Sequence, residues 1–306
     1  MVYKMKLADI SEIELDDDPF LPGGLGFTKL HGNGNDFVLI DETSREQIAE
    51  GEKKKFAIAF CHRHFGIGAD GVLFLTGSSR ASLGMRLIQP DGSEAEMCGN
   101  GIRCLAKYAW DTGYVGESFD VETLAGIIPV QVRERDGFFW AKVDMGVPRF
   151  DRPSIPACGE GDLISEEIDG RRVSAVNIGV PHAVLLVDDM DFDILRVAPS
   201  IRHNSLFPEG ANVNFVKIVK VGQPLEIRTF ERGVEGETLS CGTGSVAAAS
   251  VARRLGLAGD EVLVQTKGGP LLISFEDGKA FMDGPAVTVC SGEFSLEYLW
   301  NLSMEP

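Results

Sequence analysis

Two short segments hold the residues best suited to chemistry: Cys98-Gly-Asn-Gly101 and Cys241-Gly-Thr-Gly244. Each opens a stretch with helical spacing. A cysteine at a helix start is chemically distinct, because the free N–H groups and the positive end of the helix dipole favour a thiolate over a thiol. Glycines beside it let the backbone approach a ligand closely and aim N–H groups at an anion such as a carboxylate. One such element is compatible with a packing detail. Two equivalent elements in two related halves imply a cleft with a thiol on each wall. That arrangement suits inversion of a stereocentre, in which one face of a carbon loses a proton and the opposite face receives one. A thiolate base and a thiol acid would exchange roles in the reverse direction. The two helix ends would stabilise the charge that accumulates beside a carboxylate, with no pyridoxal cofactor.

The elements that must position these thiols repeat along the chain. Val121-Glu-Thr123 follows Cys98 by 23 residues, and Val264-Gln-Thr266 follows Cys241 by the same interval. Upstream, Gly34-Asn35 and Gly179-Val180 each precede a strand-like run ending in Asp, FVLID and AVLLVD. Gly92-Ser-Glu94 has a counterpart in Gly236-Glu-Thr238. Apolar spacing predicts helices over Arg45–Arg63, Ile102–Thr112 and Ser245–Leu255, the last two stopped by Gly113 and Gly256. Ser245–Leu255 is apolar nearly all round over its first two turns, as a helix buried on every side is. Short β-like runs bounded by Gly, Asp, Pro or Asn fill most of the rest. These patterns predict a mixed α/β (α+β) fold of two pseudo-symmetric domains, with Ile102–Thr112 and Ser245–Leu255 as their central helices. The proline-bearing stretch Met145–Pro156 is the expected linker.

A chain of 306 residues is comfortable for two domains. Its charge, 29 − 46 = −17, speaks against a nucleic-acid partner and against docking on anionic lipid. No apolar run approaches the roughly 18 residues of a spanning helix, and the acidic N-terminus is not a secretory signal. Six cysteines are too few for a disulfide scaffold. A soluble, cytoplasmic protein with reduced thiols is expected. Cys104, Cys158 and Cys290 have no duplicated partner and read as small buried hydrophobes. Gly66-Ile-Gly68-Ala-Asp-Gly71 imitates a dinucleotide fingerprint but follows a helix and precedes a strand, the reverse of what the fingerprint needs. Gly242–Ala247 imitates it better, yet what precedes it is loop-like. Cys61, His62 and His64 lack a fourth metal ligand, so no metal is expected.

The segments LHGNGNDFVLID (30–41), HRHFGIGADG (62–71), PDGSEAEMCGNGIRC (90–104), GVPHAVLLVDD (179–189), FPEGANVNFV (207–216) and ERGVEGETLSCGTGS (231–245) together resemble the diaminopimelate epimerase family. The resemblance spans roughly residues 26–296. It implies two domains, each a mixed sheet curled into a barrel around its central helix. With it come an N-terminal extension over 1–25, a first domain over 26–144 plus 285–306, and a second over 145–284. The implied activity is interconversion of LL- and meso-diaminopimelate in lysine biosynthesis, without a cofactor. Cys98 and Cys241 would be the acid/base pair, with His182 and Glu231 as further catalytic residues that tune or orient the site. Gly99, Asn100, Gly242 and Thr243 would hold the substrate carboxylate, Asn35 and Asn212 its polar groups, and Glu231 and Arg232 the groups near the reacting carbon. This chain has Gln89 and Val180 where the family often has Asn, and Gly71 where it sometimes has Gln. Gln89 can hydrogen-bond with a longer reach, whereas Val180 cannot.

The implied partner is the small-molecule substrate, with no nucleic acid and no membrane; a homodimer stays open. Three rivals remain at this level. One is another cofactor-independent racemase or epimerase, of proline or hydroxyproline type. A second is a binding protein that keeps the fold without turnover, which the presence of both thiols disfavours. A third is a dithiol redox protein, although Cys98 and Cys241 are 143 residues apart and redox pairs usually sit close together.

Overall fold

A computed structural model describes residues 24–218, 220 and 222–295. The chain begins with β1 (Leu25–Gly32), β2 (Asn35–Glu42), α1 (Lys53–Cys61), β3 (Gly71–Thr76), β4 (Leu83–Ile88), β5 (Glu94–Ala95), α2 (Gly99–Asp111), β6 (Ser118–Thr123) and β7 (Gly126–Arg135). After β8 (Phe138–Asp144) and β9 (Glu166–Ile168) the same series returns. It consists of β10 (Arg171–Asn177), β11 (Pro181–Leu186), α3 (Ile194–Arg202), β12 (Asn212–Ile218), β13 (Leu225–Glu231), β14 (Gly236–Thr238), α4 (Gly242–Arg254), β15 (Glu261–Thr266) and β16 (Gly269–Glu276). β17 (Lys279–Pro285) and β18 (Val287–Phe294) close the described chain.

The pairing repeats with the order. β2 runs parallel to β3 across α1, and β11 parallel to β12 across α3. β3 then pairs antiparallel with β4, and β4 parallel with β6 across α2; β12, β13 and β15 do the same across α4. The antiparallel pairs β6–β7 and β15–β16 end each series. Each parallel step needs a crossover, and in each case a helix supplies it.

Contacts divide the chain into two units. Among the described residues, one takes those up to Gly32, Asp36–Arg133 and those from Ala286 onward; the other takes Asn33–Asn35 and Glu134–Pro285. The boundary expected after residue 144 is therefore misplaced: β8 pairs with β17 and stays in the second unit. Met145–Pro156 is not a linker. Ile155 lies in the core of the second unit, and Arg149 bridges to Asn177. Leu25 already belongs to β1, opposite Phe294 of β18, so the strand starts on the last residue of the expected N-terminal extension. Residues 1–23 and 296–306 lie outside the described residues.

Each unit is layered by strand alternation. In the second, Val173, Ala175, Ala183, Leu185, Val213, Phe215 and Phe230 point to one face and pack with Ile194, Ala198 and Ile201 of α3. α4 meets β10, β11, β12, β13, β15, β16 and β17, and Ser245–Ala252 are all buried. In the first, Val38, Ile40, Val72, Phe74 and Ile88 pack with Phe56 and Phe60 of α1, while α2 packs on β1, β3, β4 and β18.

α1 is shorter than the helix expected over Arg45–Arg63. The Glu42 carboxylate accepts from the Gln47 and Ile48 backbone N–H groups at 3.0 and 2.9 Å and from Lys53 Nζ at 2.7 Å. Those bonds hold residues 43–49 as a loop; a turn of 3-10 helix over Glu50–Glu52 then leads into α1. The glycines that imitate a nucleotide fingerprint have a packing reason. A Cβ on Gly66 would stand 2.5 Å from the Ala59 carbonyl oxygen, and Gly68 has φ +74°.

Candidate active site

α2 and α4 begin at Gly99 and Gly242, directly after the two cysteines and three residues earlier than apolar spacing suggested. Cys98 is the N-cap of α2, and its Sγ accepts from the Gly101 N–H at 3.4 Å. Cys241 caps α4 in the same way, with Gly244 N–H at 3.4 Å. Glycine is a poor helix former, so apolar spacing misses these first turns, although the Cys-Gly-x-Gly segments themselves mark them. The sulfur acceptor satisfies one of the N–H groups that a helix start leaves without an internal partner. The two helices also end alike. Gly113 (φ +77°) and Gly256 (φ +73°) take the left-handed conformation, and Tyr114 N–H to Ala109 O and Leu257 N–H to Ala252 O, at 2.9 and 2.8 Å, close the same motif. Downstream, Thr123 Oγ1 donates to Gly126 O at 2.9 Å and Thr266 Oγ1 to Gly269 O at 2.7 Å. The duplication thus reaches individual hydrogen bonds.

The two elements differ in their surroundings. Beside Cys98, Gly99 and Asn100 are buried in the first turn, and Arg103, wholly buried, donates from Nη1 to the Gly99 carbonyl at 3.1 Å. Arg103 was not singled out from sequence; the position equivalent to it in α4 is Val246. Gln89 is exposed, and its Nε2 donates to Ser93 Oγ at 3.0 Å within the turn between β4 and β5. Its amide is thus engaged locally.

Cys241 is 7% exposed, and its Sγ lies 3.4 Å from Thr243 Oγ1. The second unit also holds Asn212, His182, Glu231 and Arg232. Asn212, buried at the start of β12, donates from Nδ2 to Pro181 O at 3.1 Å and accepts at Oδ1 from the Arg232 N–H at 2.8 Å. That pair ties the end of β13, where Glu231 stands, to β12. The Arg232 guanidinium bonds the Glu209 carbonyl at 3.3 Å in an exposed position. Asn35 is half-buried at the start of β2, after the Asn33-Gly34 turn. That turn belongs to the second unit, where Asn33 Nδ2 donates to Pro270 O at 3.1 Å. Val180 accepts through its carbonyl from Ile178 N–H at 3.1 Å, so its backbone and not its side chain does local work.

His182 lies on β11 with no exposed surface. Burial above all, and the Arg232 charge next, push its pKa down to about 3, with the Asn214 hydrogen bond opposing. Asn214 and Thr229, on adjacent strands, complete a polar row under α4. Thr229 Oγ1 donates to Asn214 Oδ1 at 3.0 Å, and Asn214 Nδ2 lies 3.0 Å from His182 Nδ1. Neither Asn214 nor Thr229 was singled out from sequence, although Asn212-Val-Asn214-Phe215 signals polar side chains on one strand face. Cys104 is buried as expected, whereas Cys158 and Cys290 are exposed, contrary to expectation. Cys158 sits outside the core, with Sγ 3.6 Å from Ser205 O, and β18, which carries Cys290, is exposed along nearly its whole length.

A duplicated mixed α/β chain of this kind defines a class of fold shared with several solved structures. A PhzF-family phenazine biosynthesis protein of Bacillus anthracis superposes with a TM-score of 0.68 at 17% identity, covering 88% of this chain and 98% of that one. A probable proline racemase from Agrobacterium radiobacter gives 0.62 at 17% identity, over 89% and 93%. The family model described as diaminopimelate epimerase matches residues 27–150 and 174–289. The diaminopimelate epimerase of Methanothrix thermoacetophila is 66% identical over 278 residues, 91% of this chain and 99% of its own. That of Methanocella arvoryzae is 55% identical over 275 residues, 89% and 97%. The chain belongs to the diaminopimelate epimerase family.

Proposed function

We propose that the protein interconverts LL- and meso-2,6-diaminopimelate by a two-base mechanism, as its place in the family suggests. The observation that carries the mechanism is the pair of cysteine-capped helices, one in each unit, built alike at the sulfur, the glycines and the C-terminal stop. In one direction Cys98 takes the α-proton as a thiolate and Cys241 delivers one as a thiol; in the reverse direction the roles exchange. The N–H groups of Gly99 and Asn100, and of Gly242 and Thr243, hold the carboxylate and stabilise the charge that grows beside it as the α-proton leaves. Asn35 and Asn212 bind the remaining polar groups. Arg232 suits a planar carboxylate, and Glu231 the amino group. The buried, neutral His182 orients the Cys241 side without carrying the transferred proton.

Incubation of the purified protein with LL-, meso- and DD-diaminopimelate, proline and lysine, without added cofactor, tests this by chiral analysis. Interconversion of the LL and meso forms is expected. Faster turnover of proline or hydroxyproline would assign the chain to the racemases whose fold it shares.

A further inference from the structure

The amide of Asn214 has only one consistent orientation. Its nitrogen lies 3.1 Å from the Ala183 carbonyl oxygen, which can only accept, and its oxygen faces Thr229 Oγ1 at 3.0 Å. The same nitrogen lies 3.0 Å from His182 Nδ1. A donor there makes Nδ1 an acceptor, so the single ring proton of a neutral His182 must ride on Nε2. Nε2 is buried and has no hydrogen-bond partner in the described structure. An N–H donor left in that state is costly, and the polar row under α4 is otherwise paired.

The row also touches the Cys241 element. A Cβ on Gly244 would stand 2.5 Å from Asn214 Oδ1, 3.1 Å from Thr229 Oγ1 and 3.2 Å from Cys241 Cβ. Asn214 and Thr229 therefore lie directly beneath the turn that Cys241 caps. α4, which covers this face, contains no carboxylate along Gly242–Arg254, and the charged group acting on the ring is Arg232. Nothing in α4 draws a second proton onto the imidazole.

We propose that Asn214 is a positioning residue of the Cys241 half of the site: it fixes His182 as a neutral Nε2–H donor, supplied to an anionic acceptor that arrives with the substrate. The donor is constant over the working pH range, whereas a titrating imidazole would be lost and gained within it. Thr229 holds the amide the right way round.

The kinetic part of the test rests on the proposed epimerisation; the spectroscopic part does not, so the two can fail separately. Nitrogen-15 spectra of the ¹⁵N-histidine-labelled enzyme, with the His182 ring assigned by loss of its signals in His182→Gln, should show a proton on Nε2 and no titration from about pH 5 to 9. Asn214→Asp replaces the donor with an acceptor and should move the proton to Nδ1, lowering kcat about tenfold or more with KM little changed. Thr229→Val, a near-isosteric change that keeps the asparagine, should give a mixture of tautomers and a smaller loss of kcat. It carries the test if the aspartate variant fails to fold. A wild-type ring protonated on Nδ1, or titrating within that range, overturns the proposal. Folded variants that keep both the wild-type tautomer and the wild-type kcat do so as well.

Discussion

At the residue scale, burial assigns different fates to groups of the same type. His182 is held neutral because its folded pKa, about 3, lies far below the unfolded value near 6.5. Between those values the unfolded chain binds the extra proton, so this group's contribution to stability is present above pH 6.5 and is lost as pH falls toward 3. His182→Gln should therefore flatten the acid limb of stability, by up to about 1.4 kcal/mol per pH unit, measured by urea unfolding from pH 7 to 4. The thiols separate by the same logic. Burial raises Cys104 and pushes Cys61 up to about 12, while Cys158 and Cys290 are exposed and Cys98 is partly so. Brief alkylation of the native protein at neutral pH, read by peptide mass spectrometry, should label Cys158, Cys290 and Cys98. Cys61 and Cys104 should react only after unfolding.

At the scale of elements, the two cysteine-capped helices look interchangeable in sequence and are not so in packing. Under Gly101, the atoms nearest a new Cβ would be Leu73 Cδ2 at 3.3 Å and Cys98 Cβ at 3.4 Å; under Gly244, a fastened asparagine oxygen stands at 2.5 Å. Gly244→Ala must break the Asn214 network or shift the helix start. It should cost about 1–3 kcal/mol and most of the activity, whereas Gly101→Ala should cost clearly less stability in the same thermal assay. The two threonine turns should behave as a matched pair. Thr123→Val and Thr266→Val each remove one side-chain hydrogen bond to a turn carbonyl and should each cost about 1 kcal/mol by denaturant unfolding. Unequal losses would show that the symmetry of these turns is geometric and not energetic.

For the whole molecule, each unit holds one cysteine-capped helix, and the proposed two-base mechanism requires both thiols. A one-base mechanism would survive loss of one cysteine; a two-base mechanism loses a face of the carbon. Cys98→Ala and Cys241→Ala should each abolish epimerisation in both directions, and a folded single variant near wild-type rate would refute the assignment. In heavy water, early product should carry deuterium at the α-carbon while recovered substrate carries much less, because the abstracted proton rests on one sulfur and the delivered one comes from the other. The pH–rate profile should be bell-shaped and report the pair of thiols jointly.

Much of this is legible in the amino-acid sequence, for identifiable reasons. Glycine and cysteine at fixed offsets marked both helix starts, because few other residues allow a close backbone approach beside a nucleophile. The stops at Gly113 and Gly256 followed from the left-handed conformation a helix end needs, and the duplication from spacing alone. Length and hydropathy could not show that Met145–Pro156 packs into a core or that β8 joins β17, since strand partners distant in sequence are chosen by sheet pairing. Nor could they show that Glu42 holds a loop where helical spacing continued, or that Cys158 and Cys290 face outward. The tertiary structure alone decided that His182 is neutral and held by Asn214. Burial, and the direction of an amide flanked by an obligate acceptor, exist only once three strands and a helix have come together.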